Sequence, residues 1–576
     1  MSTLMQSYNI LIPRMSKISY TNGSSQEPLL GMTIGDKFDE IVNLYPDNDA
    51  LVVHHQSIRW TYRDLQQEVN ICAKALLSCG LQKGDRVGIW APNCAEWTVT
   101  QIATSKIGVI LVNINPSYRT HELEYALYQS GCKMLITAAQ FKTSDYEQMI
   151  LELVPELSST VFGNLSSHTI PELKMIVSLS TDPGKGFMSW RELRNKSSAI
   201  EESTLADRQA SLSFDEAINI QYTSGTTGYP KGATLSHHNI LNNGYFVAKT
   251  MNFTDQDRLI IPVPLYHCFG MVMGNLGCIT HGATMIYPSE GFDPEAVLQA
   301  VESEKATALY GVPTMFIAEL ELASFSQYDL SSLRTGIMAG SPCPIEIMKK
   351  VQSLMHMTEV QVAYGMTETS PVSTQTKVGT PLEKQVSTVG QIHPHLEVKI
   401  IDPESGQVVS IGEKGELCTR GYSVMLGYWN NEDQTRDAID KARWMHTGDL
   451  ATMDEEGYVN IVGRIKDMII RGGENIYPRE IEEFLYTHPD ISDAQVIGVP
   501  DEKFGEVLVA WIKLKESHQA EVQDILEFCH GKIAHYKIPH HIRFTDDFPM
   551  TVTGKIRKVE MRNITMEELG IKSQDP

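Results

Sequence analysis

The chain has 576 residues, more than a single hydrophobic core serves, so several domains or subdomains are expected. Its 42% hydrophobic and 21% charged residues are ordinary for a soluble globular protein. Acidic residues outnumber basic ones 71 to 48, a net charge of −23, which argues against nucleic acid as the main partner. Any polyanion must therefore be met by locally gathered cations.

Residues 1–26 contain no acid, carry Arg14 and Lys17 and include no apolar signal region, so secretion is not expected. A cytoplasmic location is expected, with the mitochondrial matrix as the alternative. The cysteines at 72, 79, 94, 132, 268, 278, 343, 418 and 529 form no C-x-x-C pair, which suits reduced thiols and argues against zinc ligands or a disulfide frame. From about Thr33 to Ser180, amphipathic stretches (Phe38–Leu44, Tyr62–Leu77) alternate with short apolar runs (Val87–Trp90, Val109–Val112, Met134–Thr137, Met175–Leu179). That alternation predicts βαβ units and a parallel sheet covered on both faces. Residues 181–213 read as a polar surface excursion.

Next comes Ala217–Gly232. Ile218, Ile220 and Tyr222 alternate with Asn219 and Gln221, a strand running into a loop. The loop carries Thr223, Ser224, Gly225, Thr226, Thr227, Gly228, Tyr229, Pro230 and Lys231. Small residues, hydroxyl donors and one flexible cation are what a polyphosphate needs. The spacing is not that of a P-loop, and Pro230 keeps the loop from winding straight into a helix. Ser236 is positioned to cap a helix reaching about Met251.

A second alternating set has strands near 258–263, 283–287, 306–310, 334–338 and 359–363, so two related sheets packed together are predicted. Three of these strands run into Gly311–Thr314, Ala339–Pro342 and Tyr364–Glu368, at the end where open α/β sheets place ligands. Leu259–Ser289 contains no charged residue, yet prolines and glycines interrupt it repeatedly. It reads as buried core and pocket wall, and no transmembrane segment is expected. Residues 389–462 suggest short strands of a small β-barrel or distorted sheet. After Gly463–Asp467 lies an α+β segment with strands near 468–470, 495–499 and 507–514. Pro478 opens a helix there with Ile481, Phe484 and Leu485 on one face. The fold class is α/β: a large N-terminal domain (1–465) and a small C-terminal one (466–576).

The loop at 223–231, Tyr364–Glu368, Thr447-Gly448-Asp449, Gly463–Asp467 and Thr553-Gly554-Lys555 follow one another as in the adenylate-forming superfamily of acyl-CoA synthetases, luciferases and peptide-synthetase adenylation domains. Stretches such as Gly448–Phe484 resemble the medium-chain acyl-CoA synthetases of the family-member-two type. The resemblance covers nearly the whole chain from about Met15. It implies that a carboxylate attacks the α-phosphorus of ATP, pyrophosphate leaves, and the thiol of CoA then displaces AMP.

The resemblance also assigns roles. Thr223–Lys231 hold the phosphates, Glu368 binds Mg²⁺ and Thr367 donates to the α-phosphate. The plain alternatives are Thr367 as a helix cap and Glu368 as a first-turn acid. Asp449 takes the ribose hydroxyls and Arg464 the ribose or phosphate. Tyr364 and Gly365 face adenine, with Gly340, Ser341 and Pro342 as the other wall, though Tyr364 also suits a core position. Lys466 is the hinge of a mobile lid, Lys555 the catalytic cation, and Gly472 and Gly473 line a pantetheine tunnel. His267 borders the acyl site or is a buried neutral histidine. Because 259–289 offers no acid to pair an amino-acid ammonium, the expected substrate is a fatty acid of medium length, against Val263, Leu265, Phe269, Met271, Val272 and Met273, with Gly270 and Gly274 leaving room. The expected partners are fatty acid, ATP and CoA, with a homodimer compatible. The alternatives are transfer to a carrier protein, another carboxylic acid, or a nucleotide-binding protein without catalysis. Only 21 residues follow Lys555, which counts against a fused carrier domain.

Overall fold

The computed structural model describes residues 17–571 except 224–229, 472–473, 502, 516–517 and 552–555. One sheet has eight strands in the order Met188–Ser189, Met175–Ser178, Met134–Thr137, Arg86–Trp90, Ile110–Asn113, Ala217–Thr223, Lys231–Ser236 and Gly427–Tyr428. Its first six strands run parallel, and the last two are antiparallel additions. The second sheet has nine strands: Gln391–Ile392, Val372–Gln375, Glu359–Gly365, Thr335–Ala339, Ala308–Gly311, Arg258–Ile260, Thr284–Tyr287, Asp49–Val53 and Ile58–Thr61. Its six central strands, from Glu359–Gly365 to Asp49–Val53, are parallel.

Side-chain alternation explains why both sheets are buried on both faces. Val87, Ile89 and Leu111 belong to the core shared with Leu259, Met285 and Tyr310 of the other sheet. Trp90, Ile110 and Val112 point into a separate core on the outer face. Ile260, Ile286, Leu309 and Met338 do the same for the nine-stranded sheet. Helix Ala95–Ile107 has apolar residues all round and buries every residue but Glu96, as a helix enclosed on all sides must. Ser236 caps helix His237–Thr250 by accepting from the Asn239 amide, as its position in the sequence suggested.

The β-rich region is an open path of five strands, Tyr20–Asn22, Leu396–Ile401, Gly415–Gly421, Met445–Met453 and Val459–Arg464, and does not close into a barrel. Its first strand comes from the N-terminal segment, which has no strand-like period of its own. The last sheet combines Glu474–Ile476, Ile469–Arg471, Gly505–Leu514, Ile491–Asp501 and His541–Phe544. It has its own cores on its two faces, one around Ile481, Leu485 and Val496, the other around Val509, Trp511 and Met561. Residues 181–213 lie largely at the surface, as expected. They form helices Trp190–Asn195 and Glu202–Ala210, anchored by buried Leu193 and Leu205, because one apolar residue per short helix suffices to dock a polar segment. All nine cysteines are free. Among the described residues no helix is long and apolar enough to cross a membrane.

Candidate active site

The segment expected to bind phosphate lies between two antiparallel strands. Thr223 ends the first and pairs with Lys231, which opens the second. Ser224, Gly225, Thr226, Thr227, Gly228 and Tyr229 lie outside the described residues, as do Gly472, Gly473 and Lys555. Pro230 and Lys231 border a small pocket of about 220 Å³ together with Gln129, Tyr428 and Trp429. The Lys231 ammonium stands 5.1 Å from the centre of the Tyr428 ring.

Glu368 meets these residues from the neighbouring sheet. Strand Glu359–Gly365 turns abruptly after Gly365, where a Cβ would lie 1.7 Å from the Pro371 carbonyl oxygen. Only glycine allows that approach. The residues after it form a single 3-10 turn, Thr367–Thr369, whose cap position is Met366. Thr367 is therefore not a helix cap and Glu368 does not open a regular helix, because the chain turns back into strand Val372–Gln375 too soon. Glu368 is 6% exposed. Its Oε1 accepts from the Tyr428 hydroxyl at 2.8 Å and lies 3.5 Å from the Thr223 hydroxyl. The Met425 amide donates to its backbone carbonyl, fixing the turn. Among the described residues no cation pairs with Glu368. A buried carboxylate with only neutral donors is a donor set suited to a hard divalent cation.

The second carboxylate is differently served. Asp449 is 5% exposed, and its Oδ2 accepts from the Tyr364 hydroxyl at 2.6 Å. Its Oδ1 lies 2.8 Å from Arg464 Nε, across the strand pair that sets Asp449 opposite Arg464. Asp449 holds the Arg464 guanidinium above its ordinary range, and burial followed by Asp449 pushes the Tyr364 hydroxyl well up. Lys466 sits in the turn Ile465–Asp467, its ammonium held below its usual range first by desolvation, then by Arg464, with Lys231 adding to it. Cations from distant parts of an acidic chain thus collect in one place. Gly340, Ser341 and Pro342 are exposed beyond strand Thr335–Ala339, with Gly340 at a φ of +95°.

A cleft of about 330 Å³ lies beside this group, with Val312, Thr314, Tyr266, Lys142, Glu290 and Thr551 in its wall. A Cβ on Gly340 would come 3.1 Å from Val312, so the cleft adjoins the proposed adenine wall. Thr551, four residues before Lys555, brings the C-terminal segment to it. His267 is half-buried, accepts from the Phe269 amide at 3.2 Å and stands edge-on to Tyr266. It is not among the residues of the cleft wall.

Two expectations about the acyl pocket need correction. Gly270 and Gly274 leave no room: added Cβ atoms would lie 2.5 Å from the Pro264 carbonyl oxygen and 2.9 Å from Ile261. They are small so that Phe269–Leu276 can pack on 261–265, and Val263, Leu265, Met271 and Val272 are core. The cleft also has an acid, Glu290, just beyond the uncharged run, exposed and sharing the wall with Lys142.

Tyr428 escaped sequence reasoning. It reaches Glu368 because Gly427–Tyr428 joins the antiparallel edge of the eight-stranded sheet, a pairing without a local signature. Glu416, which accepts from the Gly448 amide beside Asp449, and its partner His446 were missed for the same reason.

Loops after the parallel strands Ala217–Thr223 and Glu359–Gly365, the second carrying Glu368, with Asp449 brought beside them on the antiparallel strand Met445–Met453, define the ligand site of an α/β enzyme. The chain belongs to the AMP-binding enzyme family: the family model covers residues 38–429, and that of the AMP-binding enzyme C-terminal domain covers 480–555. Within the family it is 49% identical over 545 residues to YngI of Bacillus subtilis (strain 168), a protein named as an acyl-CoA synthetase, covering 95% of this chain and 99% of that one. It is 46% identical over 559 residues to the mitochondrial medium-chain acyl-CoA ligase ACSF2 of Danio rerio, covering 96% and 91%. Among solved structures it resembles the anthranilate CoA ligase AuaEII in complex with anthranoyl-AMP (TM-score 0.82, 27% identity, 95% of this chain and 99% of that one). A fatty acyl CoA synthetase of Mycobacterium tuberculosis is also similar (TM-score 0.67, 28% identity, 93% and 99%).

Proposed function

We propose that this enzyme joins a fatty acid of medium length to CoA at the expense of ATP. A carboxylate oxygen attacks the α-phosphorus and pyrophosphate leaves; the CoA sulfur then attacks the acyl carbonyl and AMP leaves. The observation that carries the reading is the contrast within the site. Asp449 is already neutralised by Arg464 and fixed by Tyr364, whereas among the described residues Glu368 meets only neutral hydroxyls. The first arrangement suits neutral ribose hydroxyls, since each carboxylate oxygen retains a further acceptor site. The second suits Mg²⁺, which supplies charge neutralisation beside the leaving phosphates. The medium chain length is supported by the names of the ACSF2 relatives.

In this reading Thr223 and Lys231 hold the phosphate end, and the loop between them completes it. Thr367 donates to the α-phosphate, Tyr364 and Gly365 face adenine against Gly340–Pro342, and His267 guards the acid's approach past Tyr266. Residues 1–465 form the nucleotide and acyl domain and 466–576 a lid hinged at Lys466. Lys555 on the lid supplies an ammonium between carboxylate and phosphate, while Gly472 and Gly473 line the thiol's path. The separate cores of the C-terminal sheet support that division.

The test is pyrophosphate release with ATP and Mg²⁺ over acids from acetate to palmitate, with benzoate and amino acids, each with and without CoA. A CoA-dependent maximum among medium-length acids is expected. Release with amino acids, or turnover indifferent to CoA, overturns the assignment.

A further inference from the structure

Asp449 is carried on irregular backbone. Between strands Gly415–Gly421 and Met445–Met453, Glu416 pairs with Leu450 and Cys418 with His446. Leu417 alone therefore faces Thr447, Gly448 and Asp449. Such a bulge re-aims a side chain and deprives backbone donors of their ladder partners. Gly448 takes a φ of +70° there, with open space where a Cβ would sit, so its requirement is conformational.

Glu416 closes the bulge. Its Oε1 accepts from the Gly448 amide at 3.1 Å, and its Oε2 lies 2.9 Å from His446 Nδ1. The Thr447 hydroxyl donates to the Leu417 carbonyl at 2.7 Å and accepts the Asp449 amide at 3.1 Å. Cys418 Sγ stands 3.6 Å from the same His446 nitrogen, and Glu416, Cys418 and His446 bring one ligand atom each within 4.8 Å of one another. Hydrogen bonds already engage both Glu416 oxygens, so the carboxylate's place is explained without a cation.

We propose that Glu416 is a positioning residue for the nucleotide: by tying the Gly448 amide to the His446 ring across the bulge, it fixes the direction of Asp449 and so the grip on ribose. It touches no substrate. The inference rests on the reading of Asp449 as the ribose holder, and its test separates the two.

The full chain is assayed with ATP and fatty acid varied in turn. Glu416→Ala is expected to raise the KM for ATP on the order of tenfold, because an amide loses a charged acceptor. The KM for the acid stays within about twofold, since uniform loss of packing is not the cause. Glu416→Gln, which still offers Gly448 an oxygen, restores most of the affinity. Glu416→Asp, which keeps the charge but falls short by one carbon, gives an intermediate value and replaces the alanine variant if that one does not fold. On an Asp449→Ala background none of these changes adds to the loss, because Glu416 acts through Asp449. Additive losses, or equal rises in both KM values, overturn the positioning role. An Asp449→Ala enzyme with an unchanged KM for ATP overturns the ribose reading instead.

Discussion

Asp449 and Glu368 are both nearly buried carboxylates of one candidate site, yet the fold supplies them with opposite company. Asp449 has a guanidinium on one oxygen and a phenol on the other. Glu368 has a phenol at 2.8 Å, a hydroxyl at 3.5 Å and no cation among the described residues. Burying a carboxylate without a counter-charge is costly, and in the reading proposed above a cation arriving with the substrate supplies one. In that reading the ribose end has its counter-charge before ATP binds, and the phosphate end gains its own with ATP.

The sharpest way to break this contrast is to remove the reserved charge. Glu368→Gln keeps the shape and is expected to lower kcat/KM for ATP roughly a hundredfold, with a higher Mg²⁺ requirement. Titration of rate against Mg²⁺ checks it, and an unchanged half-saturation point removes Glu368 from the metal. At the other end, Arg464→Ala leaves Asp449 buried with one partner. The KM for ATP should rise about tenfold or more while the Mg²⁺ requirement stays fixed. Steady-state kinetics in both ligands decide it.

The two phenols sharpen the comparison further. Tyr364→Phe is expected to raise the KM for ATP only about three- to fivefold, because Arg464 remains, and Tyr428→Phe to shift the Mg²⁺ half-saturation point by a similar factor. If the two effects exchange places, the assignment of the carboxylates is reversed. The smallest effect concerns His446, whose pKa Glu416 raises above its ordinary value. A pKa raised on folding gives stability that is fully present below about pH 6.5 and is lost as pH rises through the folded value. His446→Gln should therefore lower the Tm by a few degrees at pH 6, and the difference should shrink by pH 9. A pH-independent difference contradicts the pair.

Much of this was legible in the sequence. The hydroxyls, glycines and lysine of 223–231 are contiguous, so the proposal of polyanion chemistry there needs no tertiary information. Strand Met134–Thr137 emerged at its full extent from three apolar residues and a β-branched threonine. Other features were hidden. Tyr20–Asn22 is a strand only because Leu396–Ile401 offers it an edge. Gly270 and Gly274 looked like space, but a glycine's reason depends on what packs against it. The absence of acid in 259–289 was true of the stretch and not of the cleft, which takes Glu290 and Lys142 from its neighbourhood.

The sequence by itself determined the ingredients: the alternating helices and strands of a parallel α/β protein, the residues of the loop at 223–231, and a carboxylate, Glu368, just past a strand end. Each depends on neighbours within a few residues, where periodicity and side-chain type act directly. Only the tertiary structure decided which carboxylate is neutralised. Tyr364 finds Asp449 across 85 residues, and Tyr428 finds Glu368 across 60. Such pairings follow from which strands lie side by side and where a bulge turns a side chain. No local pattern encodes that, because it is the packing of whole sheets that brings the partners together.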